Sequence, residues 1–222
     1  MMNHKIISVE GNIGSGKSTL LSLLEEKYKD NKQIVFLQEP IEDWNTIKGD
    51  DGKTILQKFY EDIEKYSFTF QFTVLLSFIK VMDETIKKHP NAIIITERSL
   101  YTNKHVFAKM LFDDKKINEI DYQVYLKWFD YFARLDAENS INKMIYVNTK
   151  STKCLERINK RGRKGEETIN IEYLDACDTS HNVMLFNEKV CKDVLVIDGN
   201  PDIETNEQRE AIFKTINDFI YA

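Results

Sequence analysis

Short runs of apolar, often β-branched residues alternate along the chain with longer segments whose apolar residues recur at helical spacing. The short runs lie at 5–10, 34–38, 92–96, 143–148 and 193–197, and each has the length and residue types of a strand. Helical patterns fall at 17 to about 29, 54–63, 66–89, 100–113, 118–137, 170–191 and 203–220. Asp30-Asn31 and Pro90-Asn91 supply stops, Trp44 falls on the loop that leaves the second strand at Glu39-Pro40, and 45–52 is a turn-rich loop. Strands with no polar face, each followed by a helix, predict a parallel sheet covered on both sides, a three-layer doubly wound α/β fold. The 66–89 helix carries apolar residues on more than one stripe, so both its sides need cover, from the domain and from a partner subunit or substrate. Gln71 is its conspicuous polar residue. The aromatic stripe of 118–137, with Tyr122, Tyr125, Trp128, Phe129 and Phe132, reads as core or dimer contact.

The first strand ends at Glu10 and passes into Gly11-Asn12-Ile13-Gly14-Ser15-Gly16-Lys17-Ser18-Thr19, the spacing of a P-loop between strand and helix. Glycines at 11, 14 and 16 allow backbone conformations that turn successive N–H groups into one concavity suited to phosphate. The helix N-terminus adds partial positive charge, Lys17 a mobile cation, and the Ser18 hydroxyl a ligand for Mg²⁺.

Residues 1–222 fit one domain, with three prolines, no linker and no repeat. A formal charge of −5 argues against a sequence-independent nucleic-acid binder. No signal-peptide pattern and no apolar span of membrane length occur, so a soluble intracellular, most simply cytoplasmic, protein is expected. Cys154, Cys177 and Cys191 are odd in number and lack metal-ligand spacing, which predicts reduced thiols in helices or core.

In a parallel sheet the carboxyl ends of the strands gather on one edge, and two of them carry charge here: Glu39-Pro40 after the second strand and Glu97-Arg98-Ser99 after the third. Arg157, Arg161 and Arg163 precede Glu166 in a glycine-punctuated segment; in a P-loop protein this suggests a lid at about 157–168 that closes on phosphates.

Together these segments resemble the deoxyribonucleoside kinase family, which holds the deoxycytidine, deoxyguanosine, mitochondrial thymidine and insect multisubstrate kinases. The resemblance rests on the P-loop at 10–19, Glu39-Pro40 with Trp44, Tyr60 with Ser67-Phe68-Thr69-Phe70-Gln71, Glu97-Arg98-Ser99, and the arginine segment followed by Glu172-Tyr173-Leu174. It implies a P-loop kinase fold with strand order 2-3-1-4-5, a homodimer formed through two helices, and transfer of the ATP γ-phosphate to a deoxyribonucleoside 5′-hydroxyl. Glu39 is then the general base and Arg98 its partner. Ser18 and Glu97 hold Mg²⁺, Lys17 with Arg157, Arg161 and Arg163 clamps the phosphoryl group, and Asp202 joins the P-loop on the donor side. Gln71 reads the base, with an amide that can rotate to suit either pyrimidine. Tyr60 and Glu166 hold the 3′-hydroxyl, and Ile13, Trp44, Phe70 and Phe107 wall the base slot.

Two positions depart from members acting on deoxycytidine and purine deoxynucleosides, where an Arg and an Asp pair above the base: here they are Phe78 and Asn103. With Val74, this favours the pyrimidines thymidine and deoxycytidine, although Phe78 is larger than the Met usual in thymidine-using members. Gly165 stands where the family commonly has an acidic residue. The competing expectations are a purine-preferring deoxynucleoside kinase, a nucleoside monophosphate kinase such as thymidylate kinase, and a nucleotide-binding regulatory protein without catalysis.

Overall fold

The computed structural model describes residues 5–135, 141–203 and 205–222. Strands β1 (Lys5–Glu10), β2 (Ile34–Leu37), β3 (Ile93–Glu97), β4 (Lys143–Asn148) and β5 (Asp193–Asp198) form one five-stranded sheet in the order β2-β3-β1-β4-β5. Every pairing is parallel, with Val9 opposite Glu97 and Val9 also opposite Ile145. The expected fold class and strand order are therefore present.

Successive strand side chains point to opposite faces, and each face meets its own helices. Ile7, Val9, Ile95, Ile145 and Val147 pack against Leu20, Leu21 and Leu24 of α1 (Lys17–Lys27) and Phe213, Ile216 and Ile220 of the C-terminal helix. On the other face, Ile6 and Ile94 meet Met82 and Ile86 of the 26-residue helix at Ile63–Lys88. Met144 and Tyr146 meet Val106, Met184 and Leu185 there.

Between β2 and β3 lie α2 (Ile41–Trp44), α3 (Ile55–Glu61) and α4, the helix at Ile63–Lys88. Thr54 and Gln57 form a reciprocal capping box that starts α3, and the Asp62 side chain accepts from the N–H of Lys65 to start α4. After β3 come α5 (Leu100–Thr102), a π-helical turn at Asn103–Ala108, α6 (Lys109–Asp113) and α7 (Glu119–Leu135). After β4 come α8 (Ser151–Arg161), α9 (Ile171–Asn182) and a second π-helical turn at Val183–Asn187; α10 (Asn206–Tyr221) follows β5.

Several boundaries differ from expectation. Trp44 ends a short helix rather than sitting in a loop, and α4 begins at Ile63 because Asp62 caps it. The helix expected over 170–191 changes to π geometry at Val183 and ends at Asn187. Residues 136 and 137 of the expected 118–137 helix, and residue 204 of the expected terminal helix, lie outside the described residues. All three cysteines are free and buried. No helix among the described residues is long and apolar enough to cross a membrane.

Candidate active site

Because all strands run the same way, β1, β2 and β3 deliver the P-loop, Glu39 and Glu97-Arg98 to one edge. A cleft of about 430 Å³ opens there, and it takes in the P-loop, α3, α4, the first π-helical turn, the end of α8 and the start of α9.

The P-loop is shaped by its glycines. Gly11 has φ 145°, and a Cβ there would sit 2.7 Å from the carbonyl of Val147; Gly14 has φ 75°, and a Cβ would sit 2.6 Å from that of Cys154. Asn12 braces the loop from within: its Nδ2 donates to the Leu174 carbonyl at 2.8 Å and its Oδ1 accepts from the Ile13 N–H at 2.8 Å. Lys17 donates to the Asn12 carbonyl at 2.7 Å. Burial, and then the neighbouring Arg98 charge, lower the Lys17 pKa to about 8. Such an ammonium group is poised to gain from an arriving anion.

Ser18 Oγ donates to Glu97 Oε1 at 2.8 Å. A hydroxyl and a carboxylate side by side form a hard-oxygen donor set, the kind with which Mg²⁺ is held once substrate phosphates complete its shell. No group of three or more His, Cys, Asp and Glu side chains among the described residues forms a fuller metal site.

Arg98 has a positive φ of 62°, which turns the chain sharply at the end of β3. Its N–H donates to the Val9 carbonyl at 3.0 Å and its carbonyl accepts from Thr96 Oγ1 at 2.6 Å. Its guanidinium donates to Glu39 Oε1 at 2.5 Å and lies 4.9 Å from the Phe107 ring centroid. Burial works against the guanidinium charge, yet the carboxylates of Glu39 and Glu97 outweigh it and raise the Arg98 pKa. Behind it the buried Glu10 carboxylate accepts from the Thr102 hydroxyl.

Trp44, Phe70, Val74, Phe107 and Ile13 line the apolar part of the cleft together with Gln71. Trp44 is fixed by an Nε1 hydrogen bond to Ser77 Oγ at 2.8 Å and an edge contact with Phe70 at 5.5 Å. Two expected slot residues are elsewhere. Phe78 packs with Ile6, Met82, Ile86 and Ile94 under β2, away from the cleft, and Asn103 sits behind Gln71. The Gln71 amide does not turn freely, since Asn103 Nδ2 donates to its Oε1 at 2.7 Å.

Glu166, 5% exposed, receives Arg161 Nε and Nη2 at 3.1 and 2.7 Å and Arg163 Nη1 at 3.3 Å. Tyr60 lines the cleft with Glu166, and burial first, then the Glu166 charge, raises its pKa. Arg157 borders the cleft but its donors are committed. They bond the carbonyls of Ser15, Gly199, Asn200 and Pro201 and the Asp202 carboxylate, so Arg157 acts here as a strut rather than a free clamp. Gly11, Asn12, Ser15 and Asp202 are not on the cleft surface, whereas Gly14, Gly16, Lys17, Ser18 and Thr19 are. Leu56, Phe59, Ile41 and Tyr173 complete the lining and were not singled out as site residues from the sequence. Tyr173 alone had a signal, its place in the Glu172-Tyr173-Leu174 motif.

The family model described as deoxynucleoside kinase matches residues 7–221. Deoxycytidine kinase 2 of Gallus gallus is 32% identical over 96% of this chain and 89% of its own length, and deoxycytidine kinase 1 of Xenopus laevis 31% over 97% and 90%. The mitochondrial deoxyguanosine kinase of Xenopus laevis is 29% identical over 92% of this chain and 85% of its own length. With a cleft that joins a phosphate loop to a carboxylate–guanidinium pair and an amide-bearing slot, the chain belongs to the deoxynucleoside kinase family and is an ATP-dependent kinase of nucleosides.

Proposed function

We propose that this kinase prefers pyrimidine deoxynucleosides, thymidine and deoxycytidine, over purine ones. The observation that carries the proposal is the setting of Gln71. It lines an apolar slot with Trp44, Phe70, Val74 and Phe107, and its partner behind the slot is the neutral Asn103 rather than a charged side chain. A 5-methyl group then meets no misplaced charge. One donor and one acceptor on the amide are what a pyrimidine Watson–Crick edge asks for, with cytosine and thymine meeting them in opposite orientations.

In the reaction the nucleoside 5′-hydroxyl attacks the ATP γ-phosphorus. A bond forms between O5′ and phosphorus, the bond to the β–γ bridging oxygen breaks, and ADP leaves. Glu39 takes the hydroxyl proton: Arg98 occupies Oε1 and holds the carboxylate in place, leaving Oε2 for the base role. Lys17, Arg161 and Arg163 neutralise charge on the transferring group, which is most of what phosphoryl transfer asks of a protein. Tyr60 and Glu166 orient the sugar through its 3′-hydroxyl. Ser18 and Glu97 would hold Mg²⁺, which when bound neutralises the donor phosphates. Arg157 and Asp202 support the donor side from the loop after β5.

The same reading takes residues 1–222 as a single domain with its lid at about 157–168. It pairs two copies through the outer face of α4 and α7, where Leu76, Val124, Trp128 and Tyr131 are exposed together.

A crystal soaked with thymidine tests the proposal. The base is expected with its Watson–Crick edge within hydrogen-bond reach of the Gln71 amide, and O5′ beside Glu39. A base seated away from Gln71 would overturn the assignment.

A further inference from the structure

The side of Gln71 that faces away from the cleft is held by two residues that do not line it. Asn103 Nδ2 donates to Gln71 Oε1 at 2.7 Å, and the Tyr125 hydroxyl donates to Asn103 Oδ1 at 2.5 Å. Gln71, Asn103 and Tyr125 are 2%, 4% and 0% exposed, so water is not an alternative partner. Tyr125 is itself fixed, with its ring near-parallel to Tyr122 at 6.3 Å and stacked on Phe129 at 6.4 Å.

The direction of this chain of hydrogen bonds follows from its chemistry. A tyrosine hydroxyl has one proton, and burial keeps it in place by raising the Tyr125 pKa well above its ordinary value. Among the described residues, Asn103 is the side chain that accepts it. Were Asn103 to turn over, its NH₂ would face the hydroxyl oxygen and the hydroxyl proton would be left buried without an acceptor. The unturned form is therefore favoured. Asn103 then offers Gln71 only a donor, which draws the Gln71 carbonyl toward it and leaves the Gln71 NH₂ for the cleft.

Base edges come in two kinds. Cytosine and adenine present a ring-nitrogen acceptor beside an amino donor, whereas thymine and guanine present a ring N–H donor beside a carbonyl acceptor. A bidentate amide must face the two kinds in opposite orientations. We infer that Asn103 and Tyr125 are positioning residues that lock the amide orientation of Gln71, and so set the preference between these two kinds of base edge. The inference rests on the reading of Gln71 as the base contact. It replaces a substrate contact by Asn103 with an action one residue removed.

The test is the ratio of kcat/KM for deoxycytidine to that for thymidine, measured on the full chain. Tyr125→Phe removes one oxygen and keeps the ring stack, so the lock is released and the ratio shifts by about threefold or more, the scale of one buried hydrogen bond. Asn103→Asp can only accept, so it draws the Gln71 NH₂ toward itself and shifts the ratio in the same direction and further. A general loss of packing would instead lower both nucleosides by one factor. A ratio that stays within threefold of the parent in Tyr125→Phe, or shifts of opposite sign in the two variants, overturns the inference. Should Asn103→Asp not fold, as read by its thermal midpoint, Tyr125→Phe decides alone. A parent that phosphorylates neither nucleoside would defeat the functional reading instead, and the two failures are thereby told apart.

Discussion

Nη1 of Arg98 lies 2.5 Å from Oε1 of Glu39, and the two side chains are 13% and 15% exposed. A pair so withdrawn from water holds the carboxylate in one orientation, at the edge of the cleft where the P-loop lysine also stands. Glu39→Gln keeps the shape and an acceptor for Arg98 while removing the carboxylate proposed as the base. It is expected to leave nucleoside affinity within a few-fold and to cut turnover by roughly 10²- to 10⁴-fold. Turnover within about tenfold of the parent takes the base role from Glu39.

Arg161 and Arg163, proposed to close a lid over the phosphates, are tied to Glu166, the carboxylate proposed to hold the sugar. Since Arg161 and Arg163 both bond Glu166, Arg161→Ala and Arg163→Ala should lower kcat more than they raise the nucleoside KM. A pure KM effect would mean that they bind only the ground state.

Glu166 should act in two ways, and a cycle with 3′-deoxythymidine separates them. If it only binds the 3′-hydroxyl, Glu166→Gln costs nothing further on a substrate lacking that group. Because it also holds both arginines, the variant is expected to keep a kcat defect on 3′-deoxythymidine.

Lys17 makes ATP binding depend on pH in a stated direction. Burial lowers its folded-state pKa to about 8, so below that pH folding carries the cost of a buried ammonium. The cost is relieved as pH rises from about 8 toward the ordinary value of 10.5, where the unfolded chain binds more protons than the folded one. Phosphates arriving beside Lys17 raise its pKa again. Calorimetry of ATP binding near pH 8.5, in buffers of different ionisation enthalpy, should therefore show net proton uptake that Lys17→Met removes; proton release would contradict this.

Arg157→Ala should cost stability as well as ATP affinity. Its guanidinium satisfies four backbone carbonyls in the P-loop and the loop after β5, and losing it leaves acceptors unpaired at about 1–3 kcal/mol. A thermal midpoint unchanged from the parent would show that the strut is dispensable.

The strands were legible in the sequence because a parallel sheet covered on both faces leaves continuous apolar runs, as at Ile93–Ile95 and Met144–Val147. The P-loop and the charged strand ends were legible because phosphate chemistry demands particular residue types at fixed spacing. What was not legible depends on contacts between distant segments. The π-helical turns at Asn103–Ala108 and Val183–Asn187 carry no local signal, and they pack together through Val106 and Met184. The partnership of Tyr125 with Asn103 spans 22 positions. Phe78 was misplaced for a geometric reason. It lies on the same helix face as Gln71 but two turns on, about 10 Å along the axis, where α4 already crosses Val35 and Leu37 of β2.

The most direct test of the central claim is a competition. The enzyme is given ATP, Mg²⁺ and equal amounts of thymidine, deoxycytidine, deoxyadenosine and deoxyguanosine, and the 5′-monophosphates formed early are quantified together. Relative yields in such a mixture report the ratios of kcat/KM without separate saturation curves. The slot around Gln71 predicts that the two pyrimidine monophosphates dominate, with both detectable. Deoxyadenosine or deoxyguanosine monophosphate formed ahead of both pyrimidine products would contradict it.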